Sequence, residues 1–366
     1  MKPVRRTHNL VTDLRRAIAQ GVYDAGQPLP SERELSISRG LSRTTVRRAI
    51  QLLVDEGVVY RVPGSGTYVG RPRTFATEPL QEHATIGLIL PSLANPYFGE
   101  LATAIEREST RAGYQLLLGQ SHLSGHSEAP HLARYAENPA VKGVIVALSG
   151  DDESVASYER LTQSGKPFLF VVRHAERVGA DSVSTDHVGG ARELMQHLIG
   201  LGHRRIAFIG AARTRIVRHY QGYLEDLHEA GIPADPALQV QINADNLEQI
   251  GEAGTRALIE RKVPFTAIFA QIDLVAIGVL RALRAAGIRI PEDVSVVGFD
   301  NIPSAEHLQP PLTTVDHTVG EIGRLAVVLL QDRMVGRYNG PARRVIIQPQ
   351  LIIRASCAPC RDNEVA

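Results

Sequence analysis

From Thr85 onward the 366-residue chain alternates short aliphatic runs with longer amphipathic stretches, and this alternation limits its fold more than any other feature. The runs at 86–90, 115–118, 141–147, 168–172, 206–209, 267–270 and 294–299 read as strands, and stretches such as 99–112, 188–201 and 274–286 as helices between them. Strands separated by helices form parallel sheets covered on both faces. About 270 residues of this pattern exceed one comfortable sheet, so two α/β lobes are expected. Ligands of such folds bind beyond the carboxyl ends of the strands, and two lobes offer a cleft there. The expected class is thus a doubly wound α/β body of the two-lobed binding-protein kind, joined to a small N-terminal domain.

That N-terminal part follows another rule. Leu10, Leu14 and Ile18 recur at helical spacing and stop at Gly21. After a turn at 24–28, Ser31 and Glu34 form a capping box that opens a short helix. Gly40 ends it, and Ser42 starts another whose apolar set is Val46, Ala49, Ile50 and Leu53. Two short helices joined by a glycine-containing turn make a helix-turn-helix. The β-rich runs 58–62 and 67–69 flank Pro63-Gly64-Ser65-Gly66 and read as a hairpin, the wing. Residues 71–84 lack apolar periodicity, contain two prolines and read as a linker. The expected domains are a winged helix-turn-helix head at 1–70, a linker at 71–84, a two-lobed α/β body at 85–356 and a tail at 357–366.

Charge separates the same parts. Residues 1–73 hold 13 Lys and Arg against 6 Asp and Glu, although the whole chain carries a net charge of only +1. A basic head on a mildly acidic body suits phosphate-backbone binding by the head alone. Arg43, Thr44 and Arg47 fall off the apolar face near the start of the second helix, where a recognition helix meets bases and phosphates. Arg33 on the preceding helix is placed to clamp a phosphate. No run approaches the roughly 18 apolar residues of a membrane span. The basic N-terminus has no apolar stretch behind it, so no secretory signal is read and a cytoplasmic protein without membrane partners is expected.

The head resembles the DNA-binding domain of the GntR family over about residues 5–70. The resemblance is carried by Leu29-Pro30-Ser31-Glu32-Arg33-Glu34-Leu35, Ser42-Arg43-Thr44-Thr45-Val46-Arg47, Gly57 and Gly64-Ser65-Gly66-Thr67-Tyr68-Val69. It implies DNA contact at Arg33, Ser42, Arg43, Thr44, Thr45 and Arg47, with the wing tip near Gly66, and a homodimer on a palindromic double-stranded operator. Roughly residues 84–356 resemble the effector-binding domain of the LacI family. That likeness rests on Ile86-Gly87-Leu88-Ile89-Leu90-Pro91, Asn95-Pro96-Tyr97-Phe98, Thr185-Asp186, the stretch 201–207, the stretch 290–300 and Pro311-Leu312-Thr313-Thr314-Val315. A GntR-type head on a LacI-type body is similar to the arabinose-repressor group of regulators.

Matching family positions nominates Asn95, Tyr97, Phe98, Ser121, Asp186, Asp273 and Asp300 as effector-binding residues, with Arg173 where the family often has arginine. The departures bear on the ligand. Three residues before Gly222 the family places an arginine, where this chain has His219 beside Arg218. Ile272 replaces a common asparagine, and Val172 a common aspartate. With Arg213 and Arg215 nearby, an anionic sugar derivative or a nucleoside stays open beside a plain sugar.

Other signals carry less. His122, His126 and His131 include a metal-ligand spacing, but Gly125, Ser127 and Pro130 around them read as a loop, and no metal is expected. Cys357 and Cys360 have redox spacing but sit in the expected tail. Gly64-Ser65-Gly66 lacks the third glycine of a dinucleotide fingerprint. No catalytic constellation stands out, so neither an enzyme nor a cofactor is expected. A transport solute-binding protein is the rival that the body alone would allow, and the basic head argues against it. The expectation is a transcription regulator, a repressor by resemblance, controlled by a small sugar-like effector.

Overall fold

A computed structural model describes residues 2–23, 27–62, 66–70, 84–122, 125–148, 155–173, 175, 177–211, 218–244 and 246–360. The chain forms two units, Met1–Glu82 and His83–Ala366. The expected linker falls almost wholly outside the described residues, as do the turn at 24–26, the wing tip at 63–65, Arg213, Arg215 and the last residues of the tail.

The first unit holds helices α1 (Lys2–Ala19), α2 (Glu32–Arg39) and α3 (Arg43–Asp55), then strands β1 (Val59–Val62) and β2 (Gly66–Val69). Ser31 and Glu34 form the capping box, each satisfying the other's backbone N–H. Gly40 then turns the chain at φ +59°, a left-handed conformation that glycine adopts without steric cost. Leu10, Leu14, Leu35, Val46, Ile50, Leu53, Val59 and Val69 meet in one small core. The hairpin is antiparallel, with Val62 opposite Gly66.

In the second unit the first lobe contains β3 (Thr85–Leu90), α4 (Pro96–Arg111), β4 (Gln115–Gln120), α5 (Gly125–Glu137), β5 (Val141–Ala147), α6 (Val155–Gln163), β6 (Phe168–Val171) and β7 (Asp181–Thr185). The second contains α7 (His187–Gly200), β8 (Ile206–Ala211), α8 (Arg218–Glu229), β9 (Gln239–Ile242), α9 (Leu247–Arg261), β10 (Ala267–Ala270), α10 (Asp273–Ala285) and β11 (Ser295–Val297). After β12 (Thr314–Asp316), helix α11 (Val319–Met334) and β13 (Arg344–Ile347) rejoin the first lobe, and β14 (Gln350–Ile352) pairs back with β12. The first lobe's sheet has the order β13-β7-β6-β5-β3-β4, the second lobe's β11-β10-β8-β9, and every pairing within them is parallel. Both faces of β3 are covered, Ile86 and Leu88 packing with Leu101 of α4, and Ile89 with Leu132 of α5. The chain therefore crosses between lobes at β7–α7, β12–α11 and β13–β14.

The structure differs from expectation at several places; β9, β12, β13 and β14 are strands that the aliphatic runs did not mark, and three further differences have a clear physical reason. Strand β7 was not expected, because Asp181-Ser-Val-Ser-Thr looks polar; it is buried throughout, Asp181 accepting from the guanidinium groups of Arg333 and Arg343. The expected loop around His122, His126 and His131 is instead largely α5, which runs through Pro130 because Leu132 and Tyr135 bury its apolar face. The tail is not free at 357–360: Ala358 N–H donates to Ser295 Oγ (3.1 Å) and Cys360 N–H to Leu201 O (2.8 Å). Burial pushes the Cys357 thiol up to about 11, which makes it a poor nucleophile. No described helix is long and apolar enough to cross a membrane.

Candidate functional sites of the head and the body

In the head, Ser42 caps α3 by accepting the Thr45 N–H (3.2 Å), and its hydroxyl also bonds those of Thr44 (2.9 Å) and Thr45 (2.8 Å). Because Val46, Ala49, Ile50 and Leu53 turn inward, Arg43, Thr44 and Arg47 stand exposed on the opposite face, and Arg33 stands exposed on α2. Arg47 Nε lies 3.0 Å from Glu32, which is also 3.4 Å from Arg61 of the wing strand. Glu32 thereby ties α2, α3 and β1 together. Gly66 lies at the base of the wing, whose tip is outside the described residues. Arg48 and Arg61 were not nominated; both are exposed, and helical spacing from Val46 would have put Arg48 outside.

In the body, the nominated residues divide by what their side chains do. Asn95 and Asp186 cap helices, accepting the N–H of Tyr97 (3.1 Å) and of Gly189 (2.9 Å). Ser121 donates to Leu90 O (3.3 Å) and Arg173 to Leu148 O (2.7 Å), both at carboxyl ends of strands. Asp273 has no exposed surface: Oδ2 accepts from Ile302 N–H (2.9 Å) and Oδ1 from the Thr314 hydroxyl (2.6 Å). Its geometry fixes the turn after β11 and leaves neither oxygen turned to a cleft.

Tyr97, His219 and Asp300 do come together, around two histidines the sequence reading passed over. His187 and His317 stand at two of the crossings between lobes, and both bind Thr185: His187 Nδ1 donates to its carbonyl (2.8 Å) and His317 Nδ1 meets its hydroxyl (3.1 Å). Ring centroids step through the cluster, from Tyr97 to His317 at 4.6 Å, His317 to Phe299 at 5.0 Å, Phe299 to His219 at 4.2 Å and His219 to His187 at 5.1 Å. Phe98 packs edge-on to Tyr97. Gly222 lets α8 approach α7, since a Cβ there would lie 2.7 Å from Ala191 Cβ and from Val188 O. That approach sets His219, one turn earlier, against His187. Arg218 is half-buried beside it.

The cluster is buried, and burial disfavours charge on its titratable groups. Burial lowers His187 to about 3, His317 to about 4 and His219 well below its usual value. Burial also raises Asp300 well above the ordinary carboxylate range. Asp300 Oδ1 lies 2.9 Å from His317 Nε2. Burial disfavours charge on the carboxyl and on the imidazole alike, and the contact links Asp300 through the His317 ring to the Thr185 hydroxyl. On its other side Asp300 lines a cavity of about 270 Å³ with Glu100, Asp316, Val319 and Arg354. Asp300 (φ +114°), Asn301 (+52°), Thr318 (+58°) and Val172 (+71°) are strained at these strand ends and crossings. Such outliers gather where surrounding structure holds a functional geometry. Long-range contact brings His187 and His317 into the cluster; in the sequence, only their places just after Asp186 and just after the 311–315 motif marked them. Among the described residues no cluster of His, Cys, Asp or Glu has the placement of a metal site.

Comparison with known proteins matches residues 6–69 to the model for bacterial regulatory proteins of the gntR family, and residues 195–357 to the periplasmic binding protein-like domain. The chain is 32% identical over 281 residues to the HTH-type transcriptional regulator DegA of Bacillus subtilis, covering 75% of this chain and 81% of DegA. It is 29% identical over 336 residues to the HTH-type transcriptional repressor CytR of Escherichia coli, covering 88% and 95%. A LacI family transcriptional regulator from Enterococcus faecium, solved with bound ribose, superposes with a TM-score of 0.67 at 29% identity, over 76% of this chain and all of that one.

Proposed function

Because this chain belongs to the bacterial transcription regulators, with a GntR-family head on a LacI-type body, we propose that it is a repressor that binds a palindromic operator as a homodimer and leaves it when a small carbohydrate-like effector binds the body. The observation that carries this reading is the exposed start of α3, where Arg43, Thr44 and Arg47 stand clear of the core on a capped helix. Side chains so placed can enter a major groove, while Arg33 and the wing take the backbone. Support for the effector comes from the ribose-bound relative and from the buried cluster at the lobe crossings, and support for repression from CytR. Asn95, Phe98, Ser121, Arg173, Asp186, Arg218 and Asp273 then shape the site around Tyr97, His219 and Asp300. Effector and operator affinities are coupled reciprocally, each ligand weakening the other by the same factor.

The full-length protein is to be incubated with sheared genomic DNA at physiological salt, and the retained fragments sequenced and footprinted. Enrichment of a two-fold symmetric site, with release by a sugar, is expected. Retention without sequence preference, or an operator that no sugar displaces, would overturn the reading.

A further inference from the structure

Every strand of the first lobe's sheet runs the same way, so the starts of β13, β7, β6, β5, β3 and β4 lie along one edge of that lobe. The first two residues of these strands and the five before each carry Arg111, Lys142, Lys166, Arg177, Arg343 and Arg344 among the described residues, against Glu137 and Asp181. This basic excess runs against the rest of the body, for the chain beyond residue 73 holds 27 Lys and Arg against 33 Asp and Glu. The chain coming from the head enters the body at the same edge, since residues 71–84 lead into Thr85. Resting on the operator reading above, we propose that this edge is a second DNA-binding surface, one that grips the phosphate backbone beside the operator half-site without reading sequence.

Two of its cations are open to phosphate. Arg344 is exposed and has no hydrogen-bond or ion-pair partner among the described residues. Lys142 is exposed too, its Nζ donating only to Pro139 O (2.8 Å). Helix C-termini attract cations, which accounts for Arg111 at the end of α4, but Lys142 and Arg344 stand on strands. The nearby acids are already occupied: Asp181 accepts from Arg333 and Arg343, and Asp332 from Arg337 and Arg343. Arg333 and Arg343 also stack on the Tyr338 ring, 4.6 and 4.2 Å from its centroid, which fixes the chain that enters β13. From β13 to β5 is three strand spacings, about 14 Å, a width that spans about four phosphates of one DNA strand. Residues 71–84 reach at most about 50 Å when extended, so a duplex held by the head is the polyanion kept at high local concentration here.

The full chain is to be titrated with a random-sequence duplex of about 40 base pairs over a range of salt concentrations. The double variant Lys142→Gln/Arg344→Gln should bind roughly fivefold more weakly at low salt and flatten the plot of log affinity against log salt by about 2, because each lost phosphate contact removes about 0.9. Lys142→Arg/Arg344→Lys, which keeps both charges, should match the native chain. Arg256→Gln/Arg284→Gln removes two exposed cations of the second lobe and should leave the slope as it was. Arg344→Gln alone breaks no bond and should give about half the change, which reports on the surface even if the double variant melts early. An unchanged slope in Lys142→Gln/Arg344→Gln, or an equal change in the second-lobe control, overturns the proposal, while duplex binding by the native chain keeps the operator reading. Loss of affinity for phosphatidylglycerol vesicles with duplex affinity intact also overturns it, and gives the edge to lipid. A native chain that binds no duplex removes the operator reading, and this proposal with it.

Discussion

The residues offered to DNA and those gathered in the body are assembled in opposite ways. Arg33, Arg43, Thr44 and Arg47 lie on two consecutive short helices, exposed and charged or polar, and a local motif suffices to place them. Tyr97, His187, His219, Asp300 and His317 come from five separate segments, are all buried, and meet only because two lobes and their crossings bring them together. The first region can lose a side chain without losing its shape. The second is part of the body's interior, so recognition and stability there share the same atoms.

This contrast can be broken first at Asp273. Asp273→Ala leaves the Ile302 N–H and the Thr314 hydroxyl unpaired in the interior, and should destabilise the body by about 3 kcal/mol. Thermal melting of the full chain should show the body's transition lowered and the head's unmoved; equal shifts in both would mean that the two units do not unfold separately.

Next in size, Arg43→Ala and Arg47→Ala should each weaken operator binding by roughly 1–3 kcal/mol at fixed salt, with effector affinity untouched. Arg47 also bonds Glu32, so its replacement should reduce head stability slightly, as expected for an exposed pair. Native operator affinity in both variants would sink the assignment of α3.

Acid should separate the two regions as well. His187 is held neutral at about 3 in the folded body but titrates near 6.5 when unfolded. The stability it contributes is therefore present above pH 6.5 and lost as pH falls from 6.5 toward 3, at no more than about 1.4 kcal/mol per pH unit. Asp273 and Asp300 are raised and act with the opposite sign, contributing most at low pH. The informative quantity is thus a difference: urea unfolding of His187→Asn against the native protein should show a flatter acid decline of the body. Parallel curves would mean that His187 is not buried neutral.

The smallest effect belongs to the head. Ser31→Ala removes half of the capping box at α2 and should destabilise the head by about 1 kcal/mol, with no change in the body's melting. Loss of operator affinity should then follow only near the head's own melting temperature, which a binding series against temperature would reveal.

The sequence by itself determined the helix-turn-helix, its capping residues and the parallel α/β class of the body, because each rests on spacing within one turn, one hairpin or one strand–helix unit. Resemblance to the family nominated Tyr97, His219 and Asp300 one segment at a time, without showing that they meet. Tertiary structure alone decided that β7 is a strand, since its polar residues become buried only when Arg333 and Arg343 fold back onto Asp181. It decided that 357–360 packs against the second lobe, and that Asp273 holds a turn. It also decided that His187 and His317 join the candidate site, because residues so far apart are neighbours only after the chain has crossed between its lobes. Periodicity is a local property of the chain, whereas burial and the pairing of polar atoms depend on what arrives from elsewhere.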